Sequence, residues 1–173
     1  SGTLKFAKHS QIEIKESDTI DQPLVRDIII EAGTLEMENT TYLRSTSATR
    51  FAAANWQIEA NKLHLNGARI YSESLGSGQA GDINLAVGEL TLANGAKVQS
   101  VMRDSGSAGS VTAEADSIHL ANSSNIGSGV PLPSTGYNPD KHQPGAYGDA
   151  GDVSLNAPSI LLESGSSVTV SYT

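Results

Sequence analysis

The sequence predicts an all-β parallel β-helix, a solenoid with three short strands in each coil and about six coils. The first observation behind this prediction is a set of alternating apolar pairs that recur at nearly fixed spacing. These pairs are Ile12/Ile14, Leu35/Met37, Leu63/Leu65, Leu90/Leu92, Ile118/Leu120 and Ile160/Leu162, and their first members are separated by 23, 28, 27, 28 and 42 positions. A repeat of this size cannot bury a core alone and therefore stacks on its neighbours.

The second observation is that further apolar residues flank each central pair at constant distances. From the second pair onward, another alternating doublet begins seven residues earlier, as Trp56 does before Leu63. A third strand begins seven or eight residues after each pair, at Ile20, Leu43, Ile70, Val98, Ile126 and Val168. The period of two is that of a strand with one buried face, and no stretch sustains the 3.6-residue period of a helix. An antiparallel sandwich would not explain the repeated spacing.

Short polar residues and glycines mark the corners between the predicted strands. The position before each first strand is occupied by Asp27, Asn55, Asp82, Ser110 and Asp152. A calcium ladder would need acidic residues on adjacent coils, whereas this column alternates, so we expect its side chains to cap turns. The column Ser45, Ser72, Ser100 and Ser128 is predicted to point inward and to form hydrogen bonds along the tube.

Composition limits the classes of partner. The 173 residues form one domain, residues 1–173, or part of a longer solenoid, and they carry a net charge of −8. That acidity argues against nucleic acid or an anionic membrane as a partner, because both attract basic surfaces. No apolar run approaches the length of a membrane span. The chain has no cysteine and therefore no disulfide.

One interval departs from the repeat and predicts a protruding insertion loop at residues 129–149. The distance from Ile126 to Val153 is 27 residues, against 13 between the equivalent strands of three other coils. Insertions in solenoids fall on loops, often on the binding face. The candidate contact residues in this loop are Tyr137, Lys141, His142 and Tyr147, because tyrosines on a proline-stiffened loop offer flat contact area. The alternative is a tolerated surface loop without a contact role.

The outward columns predict no catalytic, metal or cofactor site. Registering the central pairs gives the column Glu13, Glu36, His64, Thr91, His119 and Leu161. The two histidines of this column are two coils apart, roughly 10 Å, which is too far for one shared zinc ion. Acid–base catalysis needs carboxylates and basic groups that converge on one face, and the predicted columns show no such convergence.

Three phrases of the chain carry a family likeness: GSGQAGDINLAVGELTLANGAKVQS, GSAGSVTAEADSIHLANSSNIGS and YGDAGDVSLNAPSILLESGSSVTV. They share A-G-[D/S]-[I/V]-x-[L/A], then a second strand, then [N/S]-[G/S]-[A/S]-x-[V/I]. This pattern covers residues 52–173 well and 4–51 less clearly, and it resembles the repeat region of filamentous-haemagglutinin-like exoproteins of the two-partner secretion family. The amino-terminal secretion domain of that family carries Asn-Pro-Asn-type motifs, which this sequence lacks, so the resemblance is to the shaft.

The resemblance implies a right-handed parallel β-helix that is exported across the outer membrane of a Gram-negative-type bacterium by a transporter partner. It also implies a secreted or cell-surface adhesin. The function that we expect is therefore a non-enzymatic stiff shaft or display surface for adhesion to a glycan or surface protein of a host or neighbouring cell. Two alternatives remain: a carbohydrate-active parallel β-helix enzyme of the polysaccharide lyase or hydrolase type, and a shaft without any recognition role.

Overall fold

The computed structural model describes residues 2–7, 9–16, 27–129 and 148–171. Every regular element in these ranges is a β-strand. The strands are β1 Thr3–Phe6, β2 Gln11–Glu16, β3 Asp27–Met37, β4 Tyr42–Ser47, β5 Asn55–Asn66, β6 Arg69–Ser74, β7 Ile83–Ala93, β8 Lys97–Met102, β9 Val111–Leu120, β10 Asn125–Gly129, β11 Val153–Asn156, β12 Ser159–Leu162 and β13 Ser167–Ser171.

These strands form two parallel sheets that wind around one core. Sheet A has the order β1-β3-β5-β7-β9-β11, with β12 also paired to β9, and sheet B has the order β13-β10-β8-β6-β4-β2. Consecutive strands of the chain alternate between the sheets, so each strand pairs with its equivalent in the next coil. The predicted parallel β-helix is confirmed, and its architecture is consistent with the right-handed form.

The three predicted strands of a coil are present, but the first two run together in sheet A. The long strands β3, β5, β7 and β9 contain both, and the pairing omits one residue of each strand between the two segments. The omitted residues are Gly33, Asn61, Gly88 and Asp116. In the last coil the two segments separate into β11 and β12. About four coils have the regular form, from β3–β4 to β9–β10, rather than the expected six.

The first coil corrects one predicted register. Ile12 pairs with Leu43 in sheet B, and Glu13 pairs with Arg44 rather than with Glu36. The partner of Glu36 in the first coil is Lys5 of β1. The interval of 23 residues between the first two central pairs was therefore not a short coil. It reflected the assignment of a third strand to the position of a second strand.

The core is a set of aliphatic columns on the inward faces. Leu35, Leu63 and Leu90 stack in register and are at most 1% exposed. Trp56 is fully buried, and its indole Nε1 donates a hydrogen bond to the carbonyl oxygen of Tyr71 at 3.0 Å. One inward stripe per strand is enough to exclude water from a narrow tube, which explains the low aromatic content of the chain.

The corner before each long strand is held by a polar ladder, as predicted for turn-capping residues. The side chain of Asn55 accepts the backbone N–H of Asp82 at 2.8 Å, and Asp82 accepts the N–H of Ser110 at 2.8 Å. Each side chain therefore caps the next coil. The adjacent glycines allow this close stacking, because a Cβ added to Gly109 would lie 2.5 Å from the carbonyl oxygen of Gly81.

The serine column points inward, as predicted, but most of its hydrogen bonds run to backbone atoms of this corner. Ser100 Oγ donates to the carbonyl oxygen of Gly81 at 2.9 Å and accepts the N–H of Gly109 at 2.8 Å. Only Ser45 and Ser72 bond hydroxyl to hydroxyl, at 2.9 Å. Adjacent coils lie about 4.8 Å apart, farther than a hydroxyl hydrogen bond spans, so the serines join coils through the backbone.

Candidate functional site

The predicted contact residues Tyr137, Lys141, His142 and Tyr147 lie outside the described residues. The described chain leaves sheet B at Gly129, the end of β10, and resumes at Gly148 shortly before β11. The contact role of residues 129–149 therefore remains a prediction, and the candidate sites that can be built from described residues lie on the outer faces of the two sheets.

The histidine column on sheet A has the predicted register. His64 and His119 each pair with Thr91, which lies between them. Nε2 of His119 lies 3.1 Å from Oε1 of Glu163 in the following coil, and both side chains are largely exposed. Across the ranges that the structure describes, no group of three or more histidine, aspartate or glutamate side chains converges on a point that could hold a metal ion.

The outer face of sheet A is predominantly acidic. Its strands carry Asp27, Glu31, Glu36, Glu59, Glu89, Glu114 and Asp116 against two lysines, Lys5 and Lys62. Lys62 Nζ lies 2.9 Å from Glu89, and this hydrogen bond lowers the pKa of the Glu89 carboxyl. The hydrogen bonds of Lys5 to Glu38 and Glu36 raise the pKa of its ammonium group.

A groove of about 590 Å³ lies on this acidic face and contains two carboxylates on adjacent coils. Glu31 of β3 pairs in register with Glu59 of β5, and both side chains are exposed. The groove is lined by Gly2, Glu31, Ala32, Gly33, Glu59, Ala60, Asn61 and Ala86. In the described ranges neither glutamate has a basic group within ion-pair distance. Sequence reasoning missed this pair, although the 28-residue interval between the two glutamates was its signal.

Sheet B carries a buried carboxylate between two arginines on its outer face. The Glu73 side chain is 4% exposed, and both Arg44 and Arg103 donate hydrogen bonds to its oxygens. Arg44 also lies 3.4 Å from Glu13 on the preceding coil. Burial alone would lower the pKa of the Arg44 guanidinium, but the hydrogen bond to Glu73 and the charges of Glu73 and Glu13 outweigh it, so the pKa is raised.

This cluster joins four strands of sheet B and is structural in its geometry. The charges of Glu13, Arg44, Glu73 and Arg103 alternate along the stack, and the buried carboxylate is satisfied by charged donors. Thr46 is paired in register with Glu73, and its buried hydroxyl Oγ1 has no hydrogen-bond partner. The sequence gave no signal for this cluster, because Glu73 is an outward residue of a strand that otherwise alternates normally.

No helix in the described part of the chain is long and apolar enough to cross a membrane. Comparison of the chain with protein-family models, with curated proteins and with solved structures finds no match. The functional interpretation therefore depends on the geometry of the solenoid and its outer faces.

Proposed function

We propose that this chain is a non-enzymatic shaft and display segment of an exported bacterial surface protein. The observation that carries the proposal is the continuous parallel register, which stacks coil on coil from β1 to β13 in both sheets. Every coil is bonded to its neighbours along its strands and at its corners. A stack of this kind resists bending and presents long, regular outer faces.

The division of labour between inner and outer side chains supports a display role. The apolar columns, the serine column and the corner ladder hold the coils together from inside the tube and at its edge. Many outward side chains, such as Asn84, Ala86 and Glu114, are exposed. These positions are free to carry recognition chemistry at little cost in stability.

The repeat motif supports the cellular part of the proposal. Its resemblance to filamentous-haemagglutinin-like exoproteins favours export by two-partner secretion through an outer-membrane transporter, with the segment secreted or held at the outer cell surface. The adhesive partner would then be a glycan or surface protein of a host or neighbouring cell. Within this proposal residues 129–149 remain the candidate contact loop.

The groove with Glu31 and Glu59 is the specific observation that favours the alternative, a carbohydrate-active enzyme. Two carboxyl groups about 5–5.5 Å apart are typical of retaining glycosidases, and adjacent coils place backbone positions about 4.8 Å apart. Two features disfavour this reading. Both carboxylates are exposed, and catalytic acids usually need burial or a neighbouring charge to tune the pKa.

One experiment separates the two functions. The intact protein and a variant lacking residues 129–149 are applied to a glycan array and to host cells, and the same polysaccharides are assayed for new reducing ends and unsaturated uronides. We expect binding without turnover, and a loss of binding with the loop would assign contact to it. Turnover that disappears in the Glu31→Gln/Glu59→Gln variant would overturn the non-enzymatic proposal.

A further inference from the structure

The two sheets differ in the sign of the charge on their outer faces. In contrast to the acidic sheet A, the strands of sheet B and the residue after β8 carry the cations Lys15, Arg44, Arg69, Lys97 and Arg103. The acidic side chains of this face that the structure describes are Glu13 and Glu73. A chain with a net charge of −8 thus keeps one face basic.

Two of these cations are adjacent and have no anionic partner. Lys15, Arg44 and Arg103 are each paired with Glu13 or Glu73. In the part of the chain that the structure describes, Arg69 and Lys97 form no ion pair or side-chain hydrogen bond, although they lie opposite each other on β6 and β8. Like charges on neighbouring strands repel each other, so this pair costs stability unless an anion joins it.

The position of Lys97 strengthens this point. Its side chain is half-buried, whereas Arg69 is exposed. Burial lowers the pKa of the Lys97 ammonium, and the charge of Arg69 lowers it further. Both effects disfavour the charged lysine in the unoccupied face. An anion that bound between the two side chains would reverse the second effect by pairing with both cations.

The surroundings of the pair are polar and aromatic rather than anionic. Tyr42 pairs with Arg69 on the preceding coil, and Tyr71 lies two residues after Arg69 on the same face of β6. Both tyrosines are half-buried, and the carbonyl oxygen of Tyr71 is fixed by its hydrogen bond from Trp56. Tyrosine rings held in this way offer rigid, flat contact area at a small entropic cost.

An amide pair forms the floor beside Lys97. Gln99 Nε2 donates to Asn125 Oδ1 at 2.7 Å, and Asn125 Nδ2 donates to Ser167 Oγ at 2.9 Å. Gln99 and Asn125 are both at most 9% exposed. This chain of hydrogen bonds fixes the amides across three coils. The cation pair therefore lies on a preorganised surface.

We propose that Arg69 and Lys97, framed by Tyr42 and Tyr71, form a binding site for the carboxylate groups of an acidic polysaccharide. The inference rests on the proposed display function and names its ligand class. Two adjacent cations suit one or two carboxylates, and the tyrosine rings and amides suit the faces and hydroxyls of sugar rings. Two free cations are too few for nucleic acid, whose affinity depends on contacts with many phosphates.

The test measures binding of the whole chain to immobilised polygalacturonate at low and physiological salt. The double variant Arg69→Gln/Lys97→Gln removes the cation pair, and Lys5→Gln/Lys62→Gln removes two exposed lysines from sheet A as a control of equal charge. Circular dichroism establishes that both variants remain folded. We expect the sheet B variant to lose about tenfold or more in affinity and the sheet A variant to stay within about twofold, because its lysines lie on the other sheet.

Three results would overturn the inference: no binding of the unaltered chain, equal losses in the two variants, or equally tight binding of polyglutamate or single-stranded DNA. Neutral dextran serves as the uncharged comparison and should not bind. The same samples are assayed for unsaturated uronides and reducing ends. Turnover would overturn the non-enzymatic function, whereas absent binding without turnover would overturn only this site and leave the shaft in place.

Discussion

The middle coils and the last described coil have the same residue types but differ sharply in burial. Leu65, Leu92 and Leu120 stack in one inward column and are fully buried, whereas Leu162, which pairs with Leu120, is 40% exposed. The next column behaves in the same way, since Ile126 is fully buried and its partner Val168 is 38% exposed.

This difference shows that burial in a solenoid belongs to the position in the stack. An inward side chain is covered by the coil before it and the coil after it. Strands β11, β12 and β13 each pair with a strand on one side only in the described structure. Identical residues therefore contribute differently to stability, and matched substitutions in the two regions test the difference.

The largest expected effect is from a charge in the middle of the core. Leu85 is 2% exposed, and Leu85→Lys would bury an unpaired ammonium at a cost of several kcal/mol, so we expect loss of the fold. The measurement is far-ultraviolet circular dichroism together with the fluorescence of the buried Trp56. Ala86→Lys is the matched control, because Ala86 is the next residue, is exposed and lies between Glu59 and Glu114. Similar losses in both variants would show that the inward and outward faces are misassigned.

The second prediction compares one residue type at two positions of one column. Leu92→Ala should lower the free energy of unfolding by about 2–5 kcal/mol, because it leaves a cavity between two coils. Leu162→Ala should cost about 1 kcal/mol or less, because the side chain is already partly solvated. Urea denaturation of both variants measures the two values. Equal costs would mean that Leu162 is covered in solution and that the last coil is as well packed as the middle ones.

The sequence alone predicted the repeating part of this fold because the same physical demand recurs in every coil. Each inward position must be apolar or a satisfied serine, and each corner needs a short polar residue, so five intervals show one pattern. The first coil was wrong where this redundancy fails. Ile12 and Ile14 alternate like any strand, and only pairing with Leu43 places them in sheet B.

The candidate sites were harder to predict because outward positions carry no repeated demand. The pair Glu31 and Glu59 and the pair Arg69 and Lys97 each depend on knowing which residues face each other on adjacent coils. Periodicity supplies that pairing only once the register is fixed. The role of Glu73 needed one step more, since Arg103 reaches it from beyond the end of β8. The histidine column was predictable, because it contains a central pair in every regular coil.

The smallest expected effect concerns the corner ladder, again at a middle and a last position. Asp82→Ala should cost about 0.5–2 kcal/mol of unfolding free energy, as the loss of a cap does, because Asp82 accepts the N–H of Ser110. Asp82→Asn keeps an acceptor oxygen and should restore most of it, as Asn55 does in the preceding coil. Asp152→Ala should stay within about 0.5 kcal/mol, because Asp152 takes part in the ladder through its backbone N–H. Thermal and urea unfolding of the three variants provide the comparison. If Asp152→Ala proved as costly as Asp82→Ala, a further N–H would have to bind that carboxylate, and the last coil would be capped as the middle coils are.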